Sequence, residues 1–373
     1  MRTKICDQLG IDVPIFGFSH CRDVVAAVSA AGGLGVLGAT TFDPDKLEIE
    51  LRWLDEHLQG RPYGVNVLMA DSRTEGTVED IERMIPQGHR EFVERLNQKF
   101  AIPPLREDAS FSGAIYQNME LRSTHGWARP QLEVVWRHRA RLLVSALGAP
   151  PPDVVEQARK LGMKIGGMTG SARHAKKHIA AGADLVIAAG NEGAGHNSDV
   201  ATMVLVPEVV DAAGNIPVLA AGGIGNGRQI AAALALGAEG VWLGSIWLAT
   251  VESDLEEGSI ERLLSAGSHD TVRTKSWSGK PTRFLRNPWI DAWEARDAPE
   301  PLPTPLQRML IAPSYRRIVA AKMTELMSVP VGQAVGQIRQ RQRVRGVMLD
   351  LQQEYVDAIT RLNSLQPGEQ SSC

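Results

Sequence analysis

Cysteine is scarce in this chain: Cys6, Cys21 and Cys373 are the only three among 373 residues. So odd and sparse a set makes no disulfide framework, no two stand at metal-ligand spacing, and the count suits a reducing compartment. An excess of one charge is missing too. Lys and Arg number 40 against 43 Asp and Glu, a net charge of −3, so bulk charge favours neither nucleic acid nor an anionic membrane as partner. No run approaches the roughly 20 apolar residues of a membrane span. The N-terminus, MRTKICDQLGIDVP, puts charges where a signal peptide needs an apolar core. These absences predict a soluble cytoplasmic protein. What is present is ordinary globular composition, 43% hydrophobic and 22% charged, long enough for one large core or two smaller ones.

Short apolar runs alternate with helical patterns. VPIFG (13–17), GGLGVLG (32–38) and PYGVNVLM (62–69) read as strands, separated by helices over Arg22 to Ala31 and from an N-cap at Asp43 to about His57. Residues 71–139 break the rhythm: they are charged, helical in pattern and show no buried strand, and so read as an insertion with helices of its own. Five more strands follow at 141–148, 163–169, 183–190, 216–223 and 240–245, with helices between them. Their interiors are almost wholly apolar, as parallel strands covered on both faces require. Three strands and five make an α/β (β/α)8 barrel over residues 1–70 and 140–290, with chemistry expected on the loops after the strands. The rival, an open doubly wound sheet, needs a G-x-G-x-x-G turn after the first strand. Phe18-Ser19-His20 stands there instead. The tail, 291–373, carries helical stretches at Tyr315 to Met327 and Arg339 to Leu362 and reads as an extension packed on the barrel or on a second subunit, which makes a homodimer plausible.

Glycines supply the first chemical pattern. AAGGIGNGRQ (220–229) runs from strand to helix, and GSIW (244–247) repeats the device one strand later, with Ser245 as a hydroxyl donor. Glycine lets backbone N–H groups approach a phosphate, and barrels often place one after strands seven and eight. A purely structural role, tight turns alone, is the competing reading. No metal is expected, because neither acidic nor histidine clusters lie nearby; a phosphorylated organic ligand is the natural occupant.

The sixth strand runs into AAGNEGAGHNSD (188–199), which carries Glu192 and His196. An imidazole at a barrel mouth suits proton abstraction, while the plain alternative is a solvated loop histidine. Glu192 either orients the loop or is solvated. His20 and Cys21 follow the first strand, and pocket lining with Phe18 and Ser19 fits them better than a nucleophilic pair. Asn66 is an amide inside the third strand and needs a partner, from a neighbouring loop or from a ligand. His174 and His178 stand i,i+4 on an outer helix and are expected to be exposed. Trp242 and Trp247 wall a pocket or pack the core.

With these residues in view, the chain resembles the nitronate monooxygenase family, formerly the 2-nitropropane dioxygenases, which are FMN-binding TIM barrels. The likeness is dense from 183 to 252, through LVPEVVD, IPVLAAGGI, ALALGAEGVWLGS and LAT-x-E, and returns in VAAVSAAGGLG (25–35), GVNV (64–67) and TVRTKSWSGKPTR (271–283). His196 falls on the family's catalytic histidine and Asn66 on its FMN-contacting asparagine. Gly222 and Gly223 fall on the phosphate loop, and Leu243, Gly244 and Ser245 on its second half. The resemblance therefore implies FMN. Two positions depart from the family. Ala189 replaces the glutamine of the family's Q-G-x-E-A-G-G-H loop, leaving backbone contacts at Ala189 and Ala194. Phe18-Ser19-His20 replaces an A-P-M segment on the substrate side.

The leading expectation is FMN-dependent oxidation of alkyl nitronates, or of nitroalkanes with His196 as base, by O2. The alternative is an NAD(P)H-dependent flavin reductase acting on a quinone, an enoyl thioester or a ring ketone. A non-redox barrel that only binds a phosphorylated ligand is the third.

Overall fold

A computed structural model of the protein describes residues 1–69, 78–105 and 128–365. It begins with a short helix α1 (Lys4–Leu9), then β1 (Ile15–Ser19), α2 (Arg22–Ala30), β2 (Leu34–Gly38), α3 (Pro44–His57) and β3 (Tyr63–Val67). The helices α4 (Val78–Arg83), α5 (Gln87–Lys99) and α6 (Ala128–Val135) come next. The βα rhythm resumes with β4 (Leu142–Ser145), α7 (Pro152–Lys160), β5 (Lys164–Thr169), α8 (Ala172–Ala180) and β6 (Leu185–Ala189). A two-residue strand β7 (Gly195–His196) precedes α9 (Thr202–Ala213), β8 (Val218–Ala221), α10 (Gly227–Ala235) and β9 (Gly240–Leu243). The remainder holds α11 (Glu257–Ser265), β10 (Thr271–Thr274), β11 (Thr282–Leu285), α12 (Pro288–Trp293), α13 (Leu306–Ala320) and α14 (Val344–Asn363).

Eight strands close in parallel in the order β1-β2-β3-β4-β5-β6-β8-β9, and β1 returns to β9 through Ile15↔Val241, Phe16↔Trp242 and Gly17↔Leu243. This is the expected α/β barrel, flanked by helices, with a helical C-terminal region. Its strands are short apolar runs, and strand parity sends alternate side chains to opposite faces. Phe16, Leu34, Val36, Leu142, Val144, Leu185, Ile187, Leu219 and Trp242 fill the interior together with Ile5, Cys6 and Leu9 of α1. The Thr3 hydroxyl and the Lys4 N–H bond to Glu239, just before β9, so α1 closes the N-terminal end of the barrel. The opposite end, where the strands finish, is left for the site.

Local rules set several boundaries. Asp43 caps α3 by accepting from the Lys46 N–H at 2.9 Å, with Pro44 at the first helical position. Gly35 permits α2 to lie on β2: a Cβ there would sit 2.0 Å from the Val25 carbonyl oxygen.

Three expectations need correction. His178 is buried, not exposed. Its ring occupies the space left by Gly167, whose added Cβ would stand 2.1 Å from His178 Nδ1. His174 does stay at the surface. The helix expected at Tyr315 to Met327 is α13, which begins before Pro313 and ends at Ala320, because Lys322 adopts a left-handed φ of 51° and Met323 N–H turns back to the Ile318 carbonyl. The helix expected from Arg339 starts only at Val344, whose N–H is held by the Glu252 carboxylate at 2.9 Å.

A second sheet was not foreseen. β10, β11 and β7 pair antiparallel in the order β10-β11-β7, with Thr282 opposite His196. Above it lies a separate apolar core in which Ile81, Phe92, Val93 and Leu96 of α4 and α5 pack with Trp289, Trp293, Leu310, Tyr315 and Ile318 of α12 and α13. The helices after β3 and the C-terminal helices therefore share one core. Residues 70–77 and 106–127 of the expected insertion, His125 among them, lie outside the described residues. Among the described residues no helix is long and apolar enough to cross a membrane.

Candidate active site

The inward-facing residues nearest the C-terminal ends of the strands define the floor of the mouth. Phe18 of β1 stacks on Trp242 of β9, with centroids 5.7 Å apart, and meets His20 edge-on at 5.2 Å. Met168 and Ala189 join the same interior cluster. Asn66 is buried, and its amide reaches Met168 Sδ at 4.0 Å, a weak contact that leaves hydrogen-bonding capacity unused. Trp242 thus belongs to the pocket wall, whereas Trp247 is core: it is fully buried and donates to the Leu243 carbonyl at 2.8 Å.

The β1 loop separates its three residues by role. His20 Nδ1 is held by the Gly38 carbonyl at 2.8 Å, and Ser19 Oγ accepts from the Cys21 N–H at 3.1 Å. Cys21 turns away into the layer between barrel and helices, where its thiol donates to the Glu252 carbonyl at 3.2 Å and burial pushes its pKa up to about 11. A thiol so protonated is no nucleophile at neutral pH.

The glycine loops after β8 and β9 form a backbone cradle. Gly222 and Gly223 take consecutive positive φ values of 103° and 69°. A Cβ at Gly223 would lie 2.9 Å from Glu192 Cβ, and one at Gly222 would lie 2.8 Å from Thr202 Oγ1. Above Gly244 there is room: an added Cβ meets only Phe18, at 3.8 Å. Ser245 Oγ accepts from the Gly332 N–H at 2.8 Å, which leaves its hydroxyl proton to donate. Among the described residues the N–H groups of Gly223, Gly244 and Ser245 have no protein acceptor. Free N–H groups converging from two adjacent loops suit a phosphate. Leu243 contributes backbone only, since its side chain is buried in the outer core. The N-terminus of α10 is not part of the cradle; Asn226 caps it and the Glu354 carboxylate accepts the Gly227 N–H at 2.7 Å.

The loop that carries His196 is rich in glycine and yet heavily tied. The Glu192 carboxylate accepts the Thr202 N–H at 2.9 Å and the Thr202 hydroxyl at 2.8 Å, at the N-terminus of α9. Asn197 Nδ2 donates to the Asn191 and Gly193 carbonyls at 3.0 and 2.7 Å. Arg283 adds two bonds to the Asn191 carbonyl, at 3.1 and 3.0 Å, and the Gln333 N–H holds the Glu192 carbonyl at 2.9 Å. Ala194 lies beneath Gly332, where a Cβ would come within 3.1 Å of its nitrogen. Glu192 is thus an orienting group, as one of its two readings held.

His196 itself is fixed by β11. Its Nδ1 stands 3.1 Å from Thr282 Oγ1, and that hydroxyl donates its single proton to the Lys280 carbonyl at 2.9 Å. Thr282 must then accept from Nδ1–H, so the lone pair lies on Nε2, the tautomer a base needs. His196 is an exposed residue. Desolvation of its ring by the surrounding protein, and then the positive charges of Arg308 and Lys280, push its pKa down to about 4, so the ring is neutral at pH 7. Thr282, Lys280 and Arg308 lie 84 or more residues beyond His196 in sequence; nothing local to the histidine pointed to them. Met168 was accessible to strand parity, being two residues after the inward Gly166.

Among the described residues no three His, Cys, Asp or Glu side chains gather where a metal ion could be held. A model of the nitronate monooxygenase family matches residues 4–354. A Mycobacterium tuberculosis (strain ATCC 25618 / H37Rv) protein that carries a monooxygenase name is 47% identical, over 98% of this chain and 99% of its own. Two solved structures are similar over nearly the whole chain. Nitroalkane oxidase from Streptomyces ansochromogenes superposes with a TM-score of 0.79 at 26% identity, covering 96% of this chain and 99% of that one. FabK from Thermotoga maritima does so with a TM-score of 0.73 at 29% identity, covering 98% and 99%.

Proposed function

Because the chain belongs to the nitronate monooxygenase family, and so to the oxidoreductases, we propose that it binds FMN and oxidises alkyl nitronates with O2, accepting nitroalkanes through His196. The observation that carries this reading is the placement of His196: its Nδ1 stands 3.1 Å from the Thr282 hydroxyl, and its ring is neutral at pH 7. Gly222, Gly223, Gly244 and Ser245 would hold the phosphate through N–H and O–H donors. Asn66 would present its buried amide to the ring system, and Ala189 and Ala194 would contribute backbone groups. Phe18, Ser19 and His20 bound the substrate side, with Phe18 and Trp242 as an apolar wall.

Held by these residues, FMN would supply the redox chemistry between substrate and O2. The chain's own residues do the rest. A nitronate arrives as an anion and needs no base. A neutral nitroalkane must lose its α-proton, and Nε2 of His196 receives it. The resulting imidazolium is disfavoured by its enclosure and by Arg308 and Lys280, so it does not hold the proton long.

The test is the visible spectrum of the purified protein under anaerobic conditions, before and after a small alkyl nitronate is added. Bleaching of a yellow protein is the expected result. A yellow protein that stays oxidised with nitronate and bleaches with NAD(P)H overturns the reading in favour of a reductase of a quinone, an enoyl thioester or a ring ketone. A colourless protein that takes up no FMN removes both.

A further inference from the structure

Among the described residues, Arg308 is the arginine acting on His196 that the fold leaves uncompensated. It stands in the first turn of α13, where the helix dipole already adds positive charge, so its place is unfavourable for a cation. Its Nε is buried and has no hydrogen-bond partner. Burial is the sole influence on its guanidinium, which falls to about 10; no carboxylate of the described residues offsets it. Contrast Arg283, whose three guanidinium nitrogens each donate, to Asn191 and Thr271. A guanidinium whose Nε is buried and unpaired is costly, and a ligand that reaches the group offsets that cost.

The surrounding structure holds Arg308 in place. Thr304 Oγ1 donates to the Ser278 carbonyl, and Gln307 Nε2 to the Ser276 carbonyl at 2.8 Å. Gly279 meets Leu302 so closely that a Cβ would stand 2.2 Å from its carbonyl oxygen. The start of α13 is therefore docked on the hairpin that ends in Lys280 and Thr282. One unit delivers the anchor of His196 and two cations that act on it: Arg308 half-buried, Lys280 exposed.

We propose that Arg308 is the anchor for the anionic head of the substrate, taking a planar monoanion, nitronate or carboxylate, through the guanidinium fork beside His196, with Lys280 steering it in. The inference rests on the function proposed above and adds a selectivity: anions are preferred to neutral substrates of the same shape. A planar fork matches a two-oxygen head in a way an ammonium does not.

The experiment is calorimetric titration of the flavin-loaded protein with sodium nitrate and with propionate, using propanamide as the neutral control and measuring flavin content in every variant. Wild type is expected to bind both anions and to gain in Tm with nitrate, while ignoring propanamide. Arg308→Met should weaken anion binding by about 10-fold or more, abolish the nitrate-dependent Tm gain, and leave the Tm without anion equal or higher. A purely structural arginine predicts the reverse, a lower Tm and unchanged nitrate affinity. Arg308→Lys, which keeps the charge and loses the fork, should lie between the two. With alkyl nitronate as substrate the loss should fall on KM rather than kcat. Unchanged nitrate affinity in Arg308→Met, or no anion binding by wild type, overturns the proposal. Nitrate binding needs no turnover, so a protein that fails to oxidise nitronates can still show it, and the two readings fail separately.

Discussion

The two sides of the barrel mouth are made by opposite means. On the side of β8 and β9 the donors are backbone groups, exposed by glycines that lie within a few residues of the strand ends. On the side of β6 the candidate group is a side chain, and its anchor and nearby charges arrive from far along the chain. Gly222 and Gly223 make their own geometry through positive φ. His196 has its tautomer set by Thr282, its pKa by Lys280 and Arg308, and its loop by Arg283 and Gln333. Holding a phosphate needs only donors at fixed places, which a backbone provides. A base also needs the right tautomer and charge, and those depend on neighbours.

The sharpest break in this comparison is His196→Asn. It should lower kcat/KM for a neutral nitroalkane by ~10²–10⁴, with little change for the preformed nitronate and no loss of flavin. Oxygen uptake with both substrates measures this, and equal losses on both would mean that His196 does not act as the base.

Gly223→Ala attacks the other side. A left-handed φ costs a residue with a Cβ ~1–2 kcal/mol, and the new Cβ meets Glu192. We expect flavin affinity to fall by about 10-fold, read as flavin released on dilution, with the kcat of the loaded fraction preserved.

Thr282→Val removes the acceptor of Nδ1–H while keeping the shape. Nitroalkane turnover should drop by about 10-fold as the ring samples the wrong tautomer, nitronate turnover should hold, and Thr282→Ser should restore the loss. If the valine variant matches wild type on nitroalkanes, Thr282 does not set the tautomer of the ring.

The smallest expected effect is an absence of change. The imidazole is depressed to about 4, so the base form is present above that pH and is lost as pH falls through it. The acid limb of kcat/KM for a nitroalkane should therefore lie near 4, and the profile should be flat between pH 5 and 8. An acid limb near 6.5 would show that the ring titrates as if in water.

The limits of the sequence show in particular elements. Asp43 announced α3, and the apolar runs marked all eight barrel strands to within a few residues, because caps and strand parity are local rules. β7 was illegible: two residues in a glycine-rich turn become a strand only because β11 lies beside them. His178 misled because its helix is amphipathic in the ordinary way, and its burial depends on Gly167 across the layer. α13 was misplaced because Pro313 looks like a boundary when read alone.

By itself the sequence determined the barrel, the positions of the glycine cradle and the candidacy of His196, since hydrophobic period and backbone conformation are fixed within a few residues. The tertiary structure decided what surrounds those candidates. It closed β1 onto β9, set Thr282 against Nδ1 of His196 and brought the charge of Arg308, whose Nε has no partner, to bear on that ring. Protonation state and electrostatic potential are sums over neighbours in space, and those neighbours are distant in the chain.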